Sequence, residues 1–119
     1  MQFARNFEFF GAPVGMIVAM ERCMQPAQWT DVGIFLQSLL LVAHERGLAT
    51  CAQAAWAAVH KTVRAEIGLS DAQIIVCGIS LGYADPAHPI NAMVTERAPL
   101  AAIAELRGFT PTEARQENA

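Results

Sequence analysis

Hydrophobic and polar positions fall into blocks along this chain, and the blocks do not share one period. Residues 12–21, "APVGMIVAME", form an apolar run rich in β-branched residues that opens on proline, which suits the first position of a buried strand. Pro26 stands where a first helical turn tolerates it, and residues 27–47 read as one long helix ended by Gly47 at the C′ position. Within it Val32, Phe35, Leu36, Leu39, Leu40 and Ala43 make the stripe of a helix packed on a core. Ile34, Leu41 and Val42 are apolar as well, on the other sides. A rod so oily all round must be buried nearly all round. At ~1.5 Å per residue it spans about 30 Å, the width of a small domain. One short chain can shelter one flank of such a rod but hardly both, so a second subunit is expected on the other.

The remaining blocks are shorter. Residues 48–55, "LATCAQAA", are small and uncharged and read as a short strand or a loop. In "WAAVHKTVRAEIG", Trp56, Val59, Val63 and Ile67 fall on one stripe, predicting an amphipathic helix capped by Gly68 with Leu69 as its hydrophobic contact. "QIIVCGISLGY", residues 73–83, is apolar on both faces, the pattern of a central strand. "ADPAHPIN" is turn-rich, because the residues before its two prolines are kept out of the helical region. A short helix is predicted to start at Pro99, and the polar residues 110–119 are expected to be disordered. The order predicts an α+β domain over residues 1–109, with helices covering a small mixed sheet.

Composition sharpens one point. The chain is 54% hydrophobic and 16% charged, which implies more apolar surface than a monomer of 119 residues can hide. Its net charge of −3 and the lack of any Lys/Arg cluster argue against nucleic acid or an anionic membrane as partner. The longest apolar run, Val32 to Ala43, is interrupted by Gln37 and Ser38 and falls short of the ~20 residues of a membrane span. The opening "MQFARNFEFF" lacks the pattern of a signal peptide. Cys23, Cys51 and Cys77 are widely spaced and odd in number, so they read as reduced, buried thiols of a cytoplasmic protein, with no disulfide framework or zinc site.

Few residues offer chemistry. His44, His60 and His88 are scattered, and none has a Ser or Cys partner at motif spacing. "GISLG" around Ser80 imitates a nucleophile elbow, but that motif needs a strand-to-helix turn, and here the chain runs on into a proline-marked loop. Gly78 is better explained by something approaching the strand closely. Arg97, between a proline-stiffened lead-in and Pro99, places a planar five-donor fork where its reach is restricted, the natural grip for a phosphate.

Three segments, "RNFEFFGAPVGMIV", "DVGIFLQSLLLVAHERGLATCAQAAW" and "VCGISLGYADPAHPINAMVTERAPL", taken in order at family spacing, resemble the flavin-dependent nitroreductase family from about Arg5 to Phe109. The resemblance implies an FMN cofactor, NAD(P)H as co-substrate, two-electron reduction of a nitroaromatic, quinone or similar acceptor, and a homodimer with FMN held at the subunit interface. Helix 27–47 would be the dimer helix. "CAQAAW" is similar to the family's flavin loop, which implies that Ala52, Gln53, Ala54 and Ala55 pass the ring and offer a backbone N–H to flavin N5. Ala52 and Ala54 stand where Pro and Glu are frequent, so no carboxylate contribution is expected. Arg97 matches a family arginine on the FMN phosphate, without the second basic residue that some members carry at the positions of Val94, Thr95 and Glu96. The match corresponds to the C-terminal half of a member. The expectation is therefore that the other half is missing from the product or supplied by another chain, and that this chain alone holds FMN weakly or not at all. The alternative is a non-catalytic remnant that dimerises but binds no flavin.

Overall fold

The structure, a computed structural model, describes residues 2–108; the expectation for residues 110–119 lies outside them. Three strands form one sheet: β1 (Val14–Glu21), β2 (Ala49–Gln53) and β3 (Gln73–Gly82), in the order β1-β3-β2. Both pairings are antiparallel, so the sheet expected as mixed is antiparallel throughout the described residues. The doubly apolar strand is the central one, as its pattern requires. Ile75, Cys77 and Ile79 are buried along it, with Ile79 at 0% exposure the centre of the core. Val18 pairs with Cys77 and Ala19 with Ile75, which leaves Val76 as the extra residue of a bulge.

Among the described residues, four α-helices accompany the sheet: α1 (Pro26–Glu45), α2 (Ala55–Ala58), α3 (His60–Ile67) and α4 (Leu100–Ile103). The start of α1 is set by Pro26 and by Gln28, whose side chain accepts the Gln25 N–H at 3.0 Å. Its end is a Schellman turn: the Leu48 N–H reaches Ala43 O and the Gly47 N–H reaches His44 O, each at 2.9 Å, with Gly47 at φ 73°. The predicted helix 56–68 is broken in two at Val59, where φ is −105° and ψ 24°. Gly68 closes α3 at φ 70°, and the Leu69 N–H returns to Arg64 O at 3.1 Å. Ile67, placed on the apolar stripe by sequence, is exposed because α3 touches the core chiefly through Val63.

Strand β1 starts at Val14, so Ala12 and Pro13, read as the opening of the strand, precede it. Residues Gln2–Gly11 are a 3-10 stretch ending in three consecutive left-handed residues, Phe9 (φ 48°), Phe10 (φ 56°) and Gly11 (φ 77°). Bulky residues at positive φ cost on the order of 1–3 kcal/mol each and persist only where packing over-determines them. Here the Phe9 ring stacks on Trp56 at 4.5 Å between centroids and lies directly over Gly15.

Helix α1 meets the sheet chiefly beside β2. Ala43 is buried and Val32, Leu36, Leu39 and Leu40 are half-buried, whereas Phe35, assigned to the core stripe by sequence, is 55% exposed. Ile34, Leu41 and Val42 are exposed too, as the all-round pattern anticipated. Beyond Gly82 the chain leaves the body as an arm, residues 83–108, in which only His88 is half-buried. The radius of gyration is accordingly 19.0 Å, against about 13 Å for a compact chain of about 100 residues. The accessible surface is 9641 Å², where a compact monomer of this mass exposes about 6,300 Å².

Candidate functional site

Residues 52–55 straddle the junction of β2 and α2, and that junction is pinned by two sets of contacts. From within the protein, Gln53 is 2% exposed and its side chain is fully satisfied. Its Nε2 donates to Asn6 O at 2.9 Å and to Asn6 Oδ1 at 3.2 Å, and its Oε1 accepts the Ser80 hydroxyl at 3.2 Å. Asn6 is held in turn by donating its Nδ2 to Phe3 O at 2.9 Å. On the same face, Trp56 folds back over Gly78, the register partner of Gln53, so closely that a Cβ there would overlap the indole. Phe9 stacks on the indole and Phe7 meets it edge-on at 5.4 Å. Gly78 is thus the close-approach glycine that its sequence context predicted.

The expected flavin loop is therefore not a loop. Cys51, Ala52 and Gln53 belong to the edge strand β2, Ala54 precedes α2 and Ala55 begins it. Ala52 and Ala54 are exposed with nothing larger than a methyl group, and Ala55 is half-buried. The side chain of Gln53 faces the protein, leaving only its backbone for any ligand at this edge. Ser80 is buried in β3, with its hydroxyl shared between Gln53 Oε1 and Cys51 O at 3.4 Å, so it is a structural donor and no nucleophile elbow.

Beside this edge, a cleft of about 480 Å³ opens between the end of the 3-10 stretch, the start of β2, the end of β3 and the first turn of the arm. Phe9, Cys51, Ser80, Tyr83, Asp85 and His88 contribute to its walls. Asp85 shapes the mouth: its carboxylate accepts the Ala87 N–H at 2.9 Å, and its carbonyl accepts Asn91 Nδ2 at 2.8 Å. His88 Nδ1 accepts the Ile90 N–H at 3.3 Å, which leaves the proton of the neutral ring on Nε2. Neither residues 52–55 nor Arg97 line this cleft.

Arg97 lies on the exposed arm. Its Nη1 donates only to neighbours, to Thr95 O at 3.1 Å, Thr95 Oγ1 and Glu96 O at 3.2 Å. Among the described residues no carboxylate pairs with it, and no hydrogen bond joins it to residues 52–55. The chain thus presents the two predicted parts of the site separately, one on the body and one on the arm.

The thiols also differ from expectation. Cys77 is buried, whereas Cys23 and Cys51 are exposed, because Cys23 sits in the turn after β1 and Cys51 on the free edge of the sheet. Desolvation pushes the Cys51 and Cys77 thiols up, so neither is an activated thiolate near neutral pH. Among the described residues, no group of His, Cys, Asp and Glu is arranged to hold a metal ion, and no helix is long and apolar enough to cross a membrane.

Sequence reasoning missed Asn6, Ser80 and the side chain of Gln53 as a unit. The available signals were a lone glutamine between alanines and the glycine opposite it.

An antiparallel sheet flanked by helices, with a projecting arm, is the α+β architecture shared with solved FMN-dependent nitroreductases. The nitroreductase family model matches residues 1–83, and the chain belongs to the nitroreductase family. It is 41% identical over 104 residues to the 4-nitrobenzoate reductase of Pseudomonas putida, covering 87% of this chain and 46% of that protein. It superimposes on the FMN and NADPH-dependent nitroreductase NfnB from Sphigopyxis sp. strain HMH with a TM-score of 0.88 and 44% identity, over 91% of this chain and 48% of that one. The FMN-dependent nitroreductase NfnB from Mycobacterium smegmatis, in complex with NADPH, gives a TM-score of 0.81 at 31% identity, over 86% and 46%. The chain therefore spans about half the length of the relatives it matches.

Proposed function

We propose that this chain carries the flavin-facing edge of an FMN-dependent, cytoplasmic NAD(P)H oxidoreductase, working as a homodimer through α1 or with a complementing N-terminal half. The observation that carries the reading is the exposed, methyl-only edge of Ala52 and Ala54, pinned between Gln53 and Trp56. The donor set fits a flavin in kind: bare backbone that a flat ring can approach, and a guanidinium that pairs with no carboxylate among the described residues. Bound there, FMN would take a hydride from NAD(P)H and pass two electrons to a nitroaromatic, quinone or similar acceptor. The part of Ala52–Ala55 is to offer main-chain N–H groups to the ring. The part of Arg97 is to neutralise phosphate charge, once the arm is laid against a second body. The apolar flank of α1 excludes water from the shared cleft when a partner covers it.

The donor set is also thin, and that favours a second reading, a dimerising remnant without flavin. Val94, Thr95 and Glu96 surround Arg97 with no second cation. One charge-assisted contact supplies roughly 1.5–3 kcal/mol, whereas micromolar retention requires about 8 kcal/mol. Purified protein titrated with FMN separates the two. Weak, saturable binding that Arg97→Gln weakens further by about tenfold supports the flavin edge. No flavin absorbance in the protein peak at saturating FMN leaves the remnant.

A further inference from the structure

We propose that Gln53 is a positioning residue: the Asn6–Gln53–Ser80 hydrogen-bond relay sets the conformation of the Ala54–Ala55 turn, the turn that on the reading above faces the cofactor ring. Three bonds fix the Gln53 amide in one orientation, because a reversed amide would set its oxygen against Asn6 O and Oδ1, which can only accept. Asn6 cannot turn to compensate, since its own Nδ2 is committed to Phe3 O. The relay thus joins three chain segments, the 3-10 stretch, the end of β2 and the C-terminal part of β3, next to a four-residue helix that has no side-chain cap of its own. Among the described residues, the other side-chain hydrogen bond to this segment is that of His60 Nδ1 with Ala57 O at 3.0 Å, at the far end of α2. Trp56, over Gly78 on the same face, supplies packing beside the relay.

The turn has a built-in reporter, because the Ala57 N–H donates to Ala54 O at 3.0 Å. The full chain is compared with Gln53→Met, which keeps side-chain length and removes all three bonds, and with Ser80→Ala, which removes one. Amide exchange is followed at Ala57 and at Ile75 and Cys77 in β3, and FMN affinity is measured by flavin fluorescence. The expected result is Ala57 exchange accelerated about tenfold in Gln53→Met and less in Ser80→Ala, with β3 unchanged and FMN bound about tenfold more weakly, ~1.4 kcal/mol. Unchanged Ala57 exchange overturns the proposal. Equal acceleration at Ala57, Ile75 and Cys77 overturns it too, since that is a general loss of stability. If Gln53→Met does not fold, Ser80→Ala decides by the same comparison. A wild-type chain that takes up no FMN defeats the functional reading, while the exchange pattern still decides whether the relay positions the turn.

Discussion

Gly78 shows how much one side chain's absence can decide. The Trp56 ring occupies the space of its missing Cβ, and the ring is itself clamped by Phe7 and Phe9. Gly78→Ala must displace the indole or bend β3, and overpacking of this kind costs about 1–3 kcal/mol. Chemical denaturation is expected to show that loss, with a partial recovery in the Trp56→Ala background. The cysteines make a second residue-scale case. Native-state alkylation near neutral pH is expected to label Cys23 first, Cys51 more slowly and Cys77 only after unfolding, as their exposure and raised thiols dictate. The same burial makes stability depend on pH. The folded Cys77 thiol titrates above its ordinary value of 9.0. Below that pH it is neutral in both states. As the pH rises past it, the unfolded thiol ionises first and the native state loses ground until the folded value is passed. Denaturant midpoints should fall on this alkaline limb, and less steeply in Cys77→Ala.

Among the elements, α1 is the one whose sequence asks for more than this chain supplies. Its cap is local and complete: Gly47 at φ 73° lets Leu48 and Gly47 satisfy two terminal carbonyls. Gly47→Ala forces a Cβ into the left-handed region and is expected to cost about 1–2 kcal/mol, read as a drop in thermal midpoint. Its flank is neither local nor complete. Ile34 at 61% and Leu41 at 58% exposure lie seven residues apart on one side, largely uncovered by the described residues. Lysine at both positions is expected to leave helix content by circular dichroism unchanged while abolishing self-association. Loss of helix content instead would mean that the flank packs within the chain.

At the scale of the whole molecule, the expanded radius and the large accessible area have one cause. The sheet buries a small core around Ile79, while α1 and the arm project apolar surface that the core does not reach. Val94 at 93%, Ile103 at 72% and Leu106 at 68% exposure extend the uncovered surface along the arm. Sedimentation is expected to find no monomer at micromolar concentration. A monodisperse monomer would contradict the reading of α1 as an interface helix.

How far sequence reached follows from the range of the forces involved. Period and punctuation act within a few residues, so the central strand, the extent of α1, its Gly47 end, the Pro99 start of α4 and the close approach at Gly78 were all legible from adjacent residues. The α+β class followed from their order. What depended on partners distant in sequence was not legible. Alanine-rich β2 is a strand because β3 supplies its hydrogen bonds, not because its residues prefer extension. Phe9 and Phe10 adopt positive φ because Trp56, far along the chain, holds the Phe9 ring. Gln53 is an interior relay because Asn6 and Ser80 meet it, which no spacing rule encodes. The sequence by itself determined the central strand, the long helix with its Gly47 end, and the apolar character of that helix on every side. Only the tertiary structure decided which polar side chains are spent inside, since burial and hydrogen bonding depend on the neighbours that folding brings together.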